Sequence, residues 1–238
     1  MSTKRRVLVV GIVLADVANL ADSIAQSLAS SREWTVEQQW VAIGKIPYRD
    51  ASLQVVESLS LSEPKFVILN RVLGSTNLCD YAYVIITDDD IELPPFFLDQ
   101  YLAWVGKHDF ALAQPARTHD SYIDHPFVEQ LDGITSRQTR YVEIGPLFSI
   151  RADALPILTP FDVTTPMGWG YDFTWPLAMD AANLKMGIVD AVPVSHKLRK
   201  PVANYVHSDA EEQLKKYLAG HPHLKREEAF YIVQSFAY

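Results

Sequence analysis

Residues 81–92 read YAYVIITDDDIE, and here an apolar, β-branched run ends in three consecutive aspartates, Asp88, Asp89 and Asp90. The segment VII at residues 84–86 predicts a buried strand, because short apolar runs of high β-propensity suit interior positions. Three adjacent carboxylates repel one another unless a cation or hydrogen-bond donors compensate them. Carboxylates suit Mg²⁺ or Mn²⁺, and open α/β sheets bind ligands at the carboxyl ends of strands. We therefore predict a metal site here; a solvated acidic turn is the alternative.

Strands and helices alternate on both sides of this stretch. Before it, the hydrophobic patterns predict strands at residues 6–15, 35–43 and 65–69 and helices at 16–30 and 50–61. After it, they predict helices at 97–105, 174–183 and 208–218, strands at 110–114, 141–150 and 186–194, a long loop over 116–140 and a helical tail from residue 222. This order predicts an α/β fold with an open, mostly parallel sheet flanked by helices.

The composition limits the classes of protein to which this chain can belong. Its 238 residues suit one domain, and its net charge of −8 argues against a nucleic-acid partner, since such binders carry a basic face. The single cysteine, Cys79, excludes an intramolecular disulfide and a cysteine-based zinc site, and we expect it to be buried. No apolar run is long enough for an integral membrane segment. The start, MSTKRRVLVVGIVLA, imitates a signal peptide, but a first strand leading into a helix explains it better, so we predict a cytoplasmic protein.

A histidine followed by basic residues ends the last predicted strand of the sheet. Strand-end geometry can bring His196 to the same sheet edge as the aspartates, where its ring nitrogen would be a metal ligand. The alternative is an ordinary surface histidine. Lys197 and Arg199 follow, and beside a metal-bound diphosphate they would clamp phosphate oxygens; otherwise they form a solvated turn.

The segment GWGYD at residues 168–172 combines glycine, aromatic and acidic residues. Its glycines, Gly170 among them, permit close approach of the backbone to a ligand, and Trp169 offers a flat surface for a sugar ring. Asp172 precedes a predicted helix. Its structural role would be an N-terminal cap, and its chemical role would be a general base for a bound hydroxyl.

Weaker candidates follow the third predicted strand and lie in the long loop. Asn70 and Arg71 either contact a nucleotide or begin a turn. Acceptor contacts are possible for four residues of the loop, with ordinary exposure as the alternative: His119, Asp120, Asp124 and His125. The chain has no nucleophile elbow, no P-loop and no GxGxxG fingerprint.

Several stretches in order carry a family resemblance: YAYVIITDDDIELPPFFLDQYLAWV, FALAQPA, YVEIGPLFSIRADAL and GWGYDFTWPLAMDAANLKMGIVDAVPVSH. They resemble the GT-A class of glycosyltransferases and, more closely, a large, mostly plant family known only as a domain of unknown function. The tryptophan-glycine-x-aspartate segment and its distance to His196 are the most specific part. The resemblance implies a GT-A-like twisted sheet with a Rossmann-like N-terminal half.

The resemblance also implies roles for individual residues. Asp90 would coordinate the metal most directly, and Asp88 would contact the ribose or share the metal. His196 would be the C-terminal metal ligand. Gly145 and its neighbours would face the donor sugar, and Asp172 would be the catalytic base of an inverting reaction.

Asp89 stands where the related family often has glutamate, and it would line the cofactor site as an orienting neighbour. The whole chain, 1–238, would form one GT-A-like domain. Residues 1–93 would be its nucleotide-binding half, residues 94–200 its donor and acceptor half, and residues 201–238 its C-terminal helices.

The predicted function is a metal-dependent glycosyltransferase of the hexosyl type. It would use Mn²⁺ or Mg²⁺ and transfer a sugar from a nucleotide-diphosphate sugar, with UDP favoured, to a hydroxyl of a glycan or small molecule. One alternative is a non-catalytic nucleotide-sugar- or carbohydrate-binding protein of the same fold. Another is a sugar-phosphate nucleotidyltransferase, but that activity needs a glycine-rich basic loop where this chain has LADVAN. A phosphoacceptor signalling domain would need acidic residues at the end of the first strand, where residues 11–15 of this chain read GIVLA.

Overall fold

One mixed sheet runs through the part of the chain that the structure, a computed structural model, describes: residues 5–48, 53–200 and 207–238. Its nine strands in the described residues are β1 (Arg5–Leu14), β2 (Trp34–Ile43), β3 (Val55–Leu59), β4 (Tyr83–Thr87), β5 (Phe110–Arg117), β6 (Ile134–Thr139), β7 (Leu147–Arg151), β8 (Lys185–Val194) and β9 (Ile232–Ala237). The order across the sheet is β3-β2-β1-β4-β7-β5-β8-β6-β9.

Strand direction brings the chemistry-bearing segments to one edge. Only β6 and β7 of the described strands run against the other seven. The ends of β1, β4, β5 and β8 and the start of β7 therefore meet at a single edge, which we call the carboxyl edge: Leu14, Thr87, Arg117, Val194 and Leu147. The predicted open, mostly parallel sheet is confirmed.

Helices cover both faces of the sheet. The described helices are α1 (Ala21–Ala29), α2 (Lys65–Gly74), α3 (Phe97–Lys107), α4 (Leu155–Leu158), α5 (Tyr171–Ala181), α6 (His207–Gly220) and α7 (Arg226–Ala229), with short 3-10 turns at Leu78–Asp80 and Pro126–Val128. On β4, Val84 and Ile86 pack toward α2 and α5, whereas Ile85 packs toward α1 and α3. All three side chains are buried, as their sequence predicts.

Two predictions in the first half of the chain are wrong. Residues 65–69 form the start of helix α2, because Phe66, Leu69 and Leu73 recur at helical spacing and pack into the core. A four-residue apolar run is too short to separate the two periods. The segment predicted as a helix at 50–61 contains strand β3, whose burial alternates along VVESL; residues 49–52 lie outside the described residues.

Three further predictions also need correction. The predicted loop 116–140 contains β6, and the predicted helical tail contains β9 after the short helix α7. These polar strands pair antiparallel at the end of the sheet, where hydrogen bonding to β8 and to each other replaces a strong apolar pattern. Cys79 is exposed because it lies on a surface 3-10 turn.

Candidate functional site

A backbone bridge joins the segment after the three aspartates to the end of β8. Glu92 and Ser195 exchange two hydrogen bonds, of 2.8 and 3.1 Å. This bridge sets Asp90 beside His196, and Asp90 Oδ2 lies 3.3 Å from His196 Nε2 with both side chains only 13% exposed. Burial acts to raise the pKa of Asp90, but the hydrogen bond and charge of His196, with Arg199, outweigh it and lower that pKa. Asp90 is therefore an ionised carboxylate beside an imidazole.

Asp89 holds the acidic motif against β1. Its Oδ2 accepts a hydrogen bond of 2.7 Å from the backbone nitrogen of Leu14, and its carbonyl accepts one of 2.6 Å from that of Leu20. Burial raises the pKa of Asp89 to about 6, against the opposing effect of Arg199. The contacts of Asp89 are those of an orienting residue.

The guanidinium of Arg199 compensates the charge of the acidic motif. It donates to Asp89 and lies 3.1 Å from Asp90 Oδ2, and it also donates to the carbonyl of Ala18 at 3.1 Å. Lys197 is directed elsewhere, to Asp120 at 2.9 Å on the surface. Of the two predicted phosphate-binding cations, only Arg199 reaches the motif.

Asp88 turns away from Asp90 toward a lysine that the sequence analysis missed. Lys65 Nζ lies 2.7 Å from Asp88 Oδ1 and 3.1 Å from the carbonyl oxygen of Ile144. A Cβ on Gly145 would lie 3.0 Å from both the Asp88 carboxylate and the Lys65 ammonium. A larger residue at position 145 would therefore crowd this ion pair, which packs directly against Gly145. The lysine was missed because residues 65–69 were predicted as a strand.

The predicted metal ligands converge in part. Asp90 and His196 are adjacent, whereas Asp88 is paired with Lys65. Within residues 5–48, 53–200 and 207–238, no group of three or more His, Cys, Asp or Glu side chains is arranged to hold a metal ion. The carboxylate of Asp90 still fits Mn²⁺ or Mg²⁺, which commonly complete their coordination with water and phosphate oxygens, and His196 would add one nitrogen ligand.

Asp172 lies in the first turn of α5, almost fully buried. Its Oδ2 accepts a hydrogen bond of 3.0 Å from the hydroxyl of Tyr141, while its Oδ1 is buried without a partner. Burial raises the pKa of Asp172 to about 6, although the hydrogen bond of Tyr141 and the nearby backbone N–H groups at the start of α5 act to lower it. A carboxylate with a free oxygen and a pKa near neutrality suits proton abstraction from a hydroxyl.

The glycines of GWGYD serve packing. A Cβ on Gly168 would overlap the ring of Phe66, and one on Gly170 would lie 2.8 Å from Tyr217. Both glycines also have positive φ angles, of 86° and 97°, which other residues rarely adopt. Trp169 between them is partly buried. Sugar stacking on Trp169 stays a prediction.

Asn70 and Arg71 are both engaged by the protein itself. Because they lie inside helix α2, neither follows a strand as predicted. The side-chain amide of Asn70 makes two hydrogen bonds of 2.8 Å to the backbone of Phe161. Arg71 pairs on the surface with Glu57 and Glu63. These contacts account for both residues without a nucleotide.

A buried ion pair that the sequence analysis did not identify lies at the end of β5. Arg117 Nη2 donates to Glu143 Oε2 at 3.1 Å and to the carbonyl of Gly145 at 2.6 Å, and Arg117 Nη1 is buried without a partner. Burial raises the pKa of Glu143 to about 7, against the effect of Arg117. The available signal was an arginine ending the apolar strand FALAQPAR.

The loop histidines differ in their surroundings. His119 is exposed and lies 2.8 Å from Glu129. His125 stacks edge-on against Tyr141, with ring centroids 5.6 Å apart, and its Nδ1 is buried without a partner. Only His125, through Tyr141, is thus connected to Asp172.

Solved structures share this architecture. GalNAc-T7 with UDP, GalNAc and Mn²⁺ superposes with a TM-score of 0.57 over 89% of this chain and 47% of its own, at 14% identity. Glucosyl-3-phosphoglycerate synthase from Mycobacterium tuberculosis, with Mn²⁺, UDP and glucosyl-3-phosphoglycerate, gives 0.56 over 92% and 81%, at 17% identity. The fold is GT-A.

A third GT-A structure, S. aureus TarS residues 1–349 with UDP-GlcNAc, has a TM-score of 0.56 over 93% of this chain and 68% of its own, at 12% identity. The chain spans about half the length of the GalNAc-T7 chain that it matches. No family model and no curated protein matches the sequence, so the resemblance to the mostly plant family stays a prediction. None of the helices in the described residues has the length and apolar character to cross a membrane.

Proposed function

We propose that this chain is a metal-dependent glycosyltransferase that moves a sugar from a nucleotide-diphosphate sugar, with UDP favoured, to a hydroxyl of a glycan or small molecule. The observation that carries the proposal is the meeting of Asp90 and His196, 3.3 Å apart, at the carboxyl edge of a GT-A sheet. Ligands of open α/β sheets bind at this edge. The similar structures named above hold UDP or a UDP-sugar, two of them with Mn²⁺, which supports this donor class.

Asp90 and His196 would hold the metal ion, which when bound neutralises negative charge on the donor diphosphate. Arg199 adds a positive charge at the same place, since its guanidinium already lies against Asp90. Lys65 adds another at the Asp88 end of the motif. As the bond between the sugar and the diphosphate breaks, these cationic side chains stabilise the leaving group electrostatically. Asp89 keeps the motif fixed to β1 meanwhile.

Asp172 would be the general base. The acceptor oxygen forms a bond to the anomeric carbon of the donor, the bond from that carbon to the diphosphate oxygen breaks, and the acceptor proton passes to Asp172. Its unpartnered Oδ1 is the atom for this proton, because Oδ2 already accepts the hydrogen bond of Tyr141. Attack by the acceptor opposite the leaving diphosphate inverts the anomeric configuration.

Calorimetry with UDP and Mn²⁺, followed by a donor-turnover assay, tests the site. The parent should bind UDP more tightly with Mn²⁺ than without it. In Asp90→Ala, both the affinity for UDP in the presence of Mn²⁺ and the rate of donor turnover should fall, each by about tenfold to a hundredfold. The control is Asp120→Ala, an exposed carboxylate at the same edge that pairs only with surface groups. Turnover by Asp90→Ala equal to that of the parent would overturn the assignment.

A non-catalytic nucleotide-sugar-binding protein is the second candidate. One observation favours it: the guanidinium of Arg199 pairs with both Asp89 and Asp90, so part of the motif's negative charge is compensated without a metal. Tight binding of a UDP-sugar with no hydrolysis or transfer, unchanged on adding Mn²⁺, would select this candidate over the transferase.

A further inference from the structure

Arg117 is the largest polar group buried at the carboxyl edge, with 1% of its surface exposed. It uses Nη2 for Glu143 and Gly145, and Nη1 meets no acceptor. A buried donor without a partner destabilises the folded protein, and more so when the donor is charged. Such a group needs an explanation, and an acceptor supplied by a ligand is one.

The pair of Arg117 and Glu143 is joined by short contacts to both ends of the proposed active site. Arg117 donates to the carbonyl of Gly145, and the ion pair of Asp88 and Lys65 packs on that glycine. Two residues before Glu143, the hydroxyl of Tyr141 donates a hydrogen bond to Asp172. A sugar whose anomeric carbon lies between a metal-bound diphosphate and Asp172 would therefore be next to this pair.

We propose that Arg117 and Glu143 bind a hydroxyl group of the transferred sugar, and that this sugar is uncharged. This inference rests on the proposed function, because it assigns the donor-sugar part of the same site. Arg117 Nη1 donates to the hydroxyl oxygen, and the hydroxyl hydrogen is donated to the carboxylate of Glu143, which remains 13% exposed.

The charges around the pair favour a hydroxyl over a carboxylate. A hydroxyl both accepts and donates, so it satisfies an N–H group and a carboxylate that lie side by side. The carboxylate of a uronic acid would meet repulsion from Glu143, and Asp88, Asp90 and Asp172 add to it. Access to Nη1 needs side chains to move, and the partly exposed pair of Lys65 and Asp88 lies directly over Gly145.

The matched variants are Arg117→Lys and Arg137→Lys. Both arginines are buried to the same extent, and both changes keep the charge while removing the planar fork. Arg137 makes all its contacts within the protein, so its variant reports the structural effect of the change. Calorimetry at pH 8, where Glu143 is mostly ionised, measures the affinities for UDP, UDP-glucose and UDP-glucuronate with Mn²⁺.

The parent should bind UDP-glucose more tightly than UDP-glucuronate. Arg117→Lys should lose roughly tenfold in affinity for UDP-glucose and keep its affinity for UDP, whereas Arg137→Lys should keep both. Glu143→Gln removes the negative charge at constant size, so it should reduce the difference in affinity between UDP-glucose and UDP-glucuronate. This variant replaces Arg117→Lys in the test if Arg117→Lys does not fold.

Two results overturn the inference while leaving the proposed function intact. One is a UDP-glucose affinity that Arg117→Lys leaves unchanged or, if that variant does not fold, a preference for UDP-glucose over UDP-glucuronate that Glu143→Gln leaves unchanged. The other is parent protein that prefers UDP-glucuronate. If the parent binds neither UDP nor any UDP-sugar, the proposed function fails, and this inference fails with it.

Discussion

Two arginines on neighbouring parts of the sheet are equally buried, yet their surroundings differ. Arg137 on β6 makes a two-pronged contact with Asp190, with distances of 3.0 and 2.9 Å, and donates to the carbonyls of Phe127 and Glu129 at 2.9 Å. Arg117 on β5 makes one longer contact with a carboxylate, that of Glu143 at 3.1 Å, and its buried Nη1 has no hydrogen-bond partner.

This difference distinguishes a buried arginine that serves the stability of the fold from one that lies in the candidate site. At Arg137 each guanidinium nitrogen has an acceptor, as expected for a buried charge that serves the fold, because unpaired polar groups in a low-dielectric interior destabilise the protein. At the carboxyl edge the protein leaves donors and acceptors unpaired, Arg117 Nη1 and Asp172 Oδ1 among them. Substitutions at the carboxyl edge should therefore affect activity more than stability, and substitutions at the Arg137 pair should do the reverse.

The largest effect is expected from Asp172→Asn. The amide keeps the size of the side chain and can still accept the hydrogen bond of Tyr141, but it cannot take a proton from the acceptor. We expect kcat to fall by about 10²–10⁴-fold with the fold retained, measured as sugar transfer beside circular dichroism. Activity within threefold of the parent would remove Asp172 from the mechanism.

The next largest effect is expected on the stability of the folded protein, at the ion pair of Arg137 and Asp190. Asp190→Ala leaves the charge of Arg137 buried without its carboxylate, and we expect a loss of about 3–5 kcal/mol in the free energy of unfolding. Glu143→Ala should lose less, because Glu143 is partly exposed and its pKa is raised to about 7, so it is partly protonated at neutral pH. Urea unfolding of both variants makes the comparison. Equal losses would show that both pairs are structural.

A pH series tests the buried carboxyl of Asp172 further. Folding raises its pKa from 3.8 to about 6, so the folded protein binds this proton more tightly than the unfolded chain. The contribution to stability therefore falls as the pH rises from about 4 to 6. Asp172→Asn does not titrate, and its stability relative to the parent should rise across this window by on the order of 3 kcal/mol. A flat difference between pH 4 and 8 would contradict the raised pKa.

The smallest effect is expected from Arg199→Gln. Removing the guanidinium takes away a positive charge that competes with a divalent ion at Asp90. Mn²⁺ alone should bind roughly three- to tenfold more tightly, measured by calorimetry. Lys197→Gln is the control, since Lys197 pairs with Asp120 on the surface and should leave the affinity unchanged. Weaker Mn²⁺ binding by the Arg199 variant would place the ion elsewhere.

Local sequence signals predicted the centre of the fold well. The run VII before the three aspartates is strand β4, fully buried, and the strand-end position of His196 correctly placed it beside Asp90. Both conclusions rest on general rules: short β-branched runs form interior strands, and parallel strands end at one edge.

What the sequence left undetermined depends on contacts between distant segments. The run FVIL in α2 satisfies both helix and strand patterns, and its helical state depends on packing against Phe161 and Tyr171. The strands β6 and β9 have weak patterns of their own and are fixed by pairing with each other. Local sequence patterns could not identify Lys65 and Arg117 as site residues for the same reason. Their side chains are held by residues distant in sequence, Asp88 for Lys65 and Gly145 for Arg117.

The backbone bridge between Glu92 and Ser195 has a consequence for how the protein matures. Asp90 is made early in synthesis, but its partner His196 follows more than 100 residues later, so neither half of the chain contains both residues of the pair. A chain that ends before His196 therefore lacks this pair and, with it, the proposed ion site. If Asp90 and His196 hold the ion as proposed, ion binding requires that strand β8 has docked and therefore reports completed assembly of the sheet.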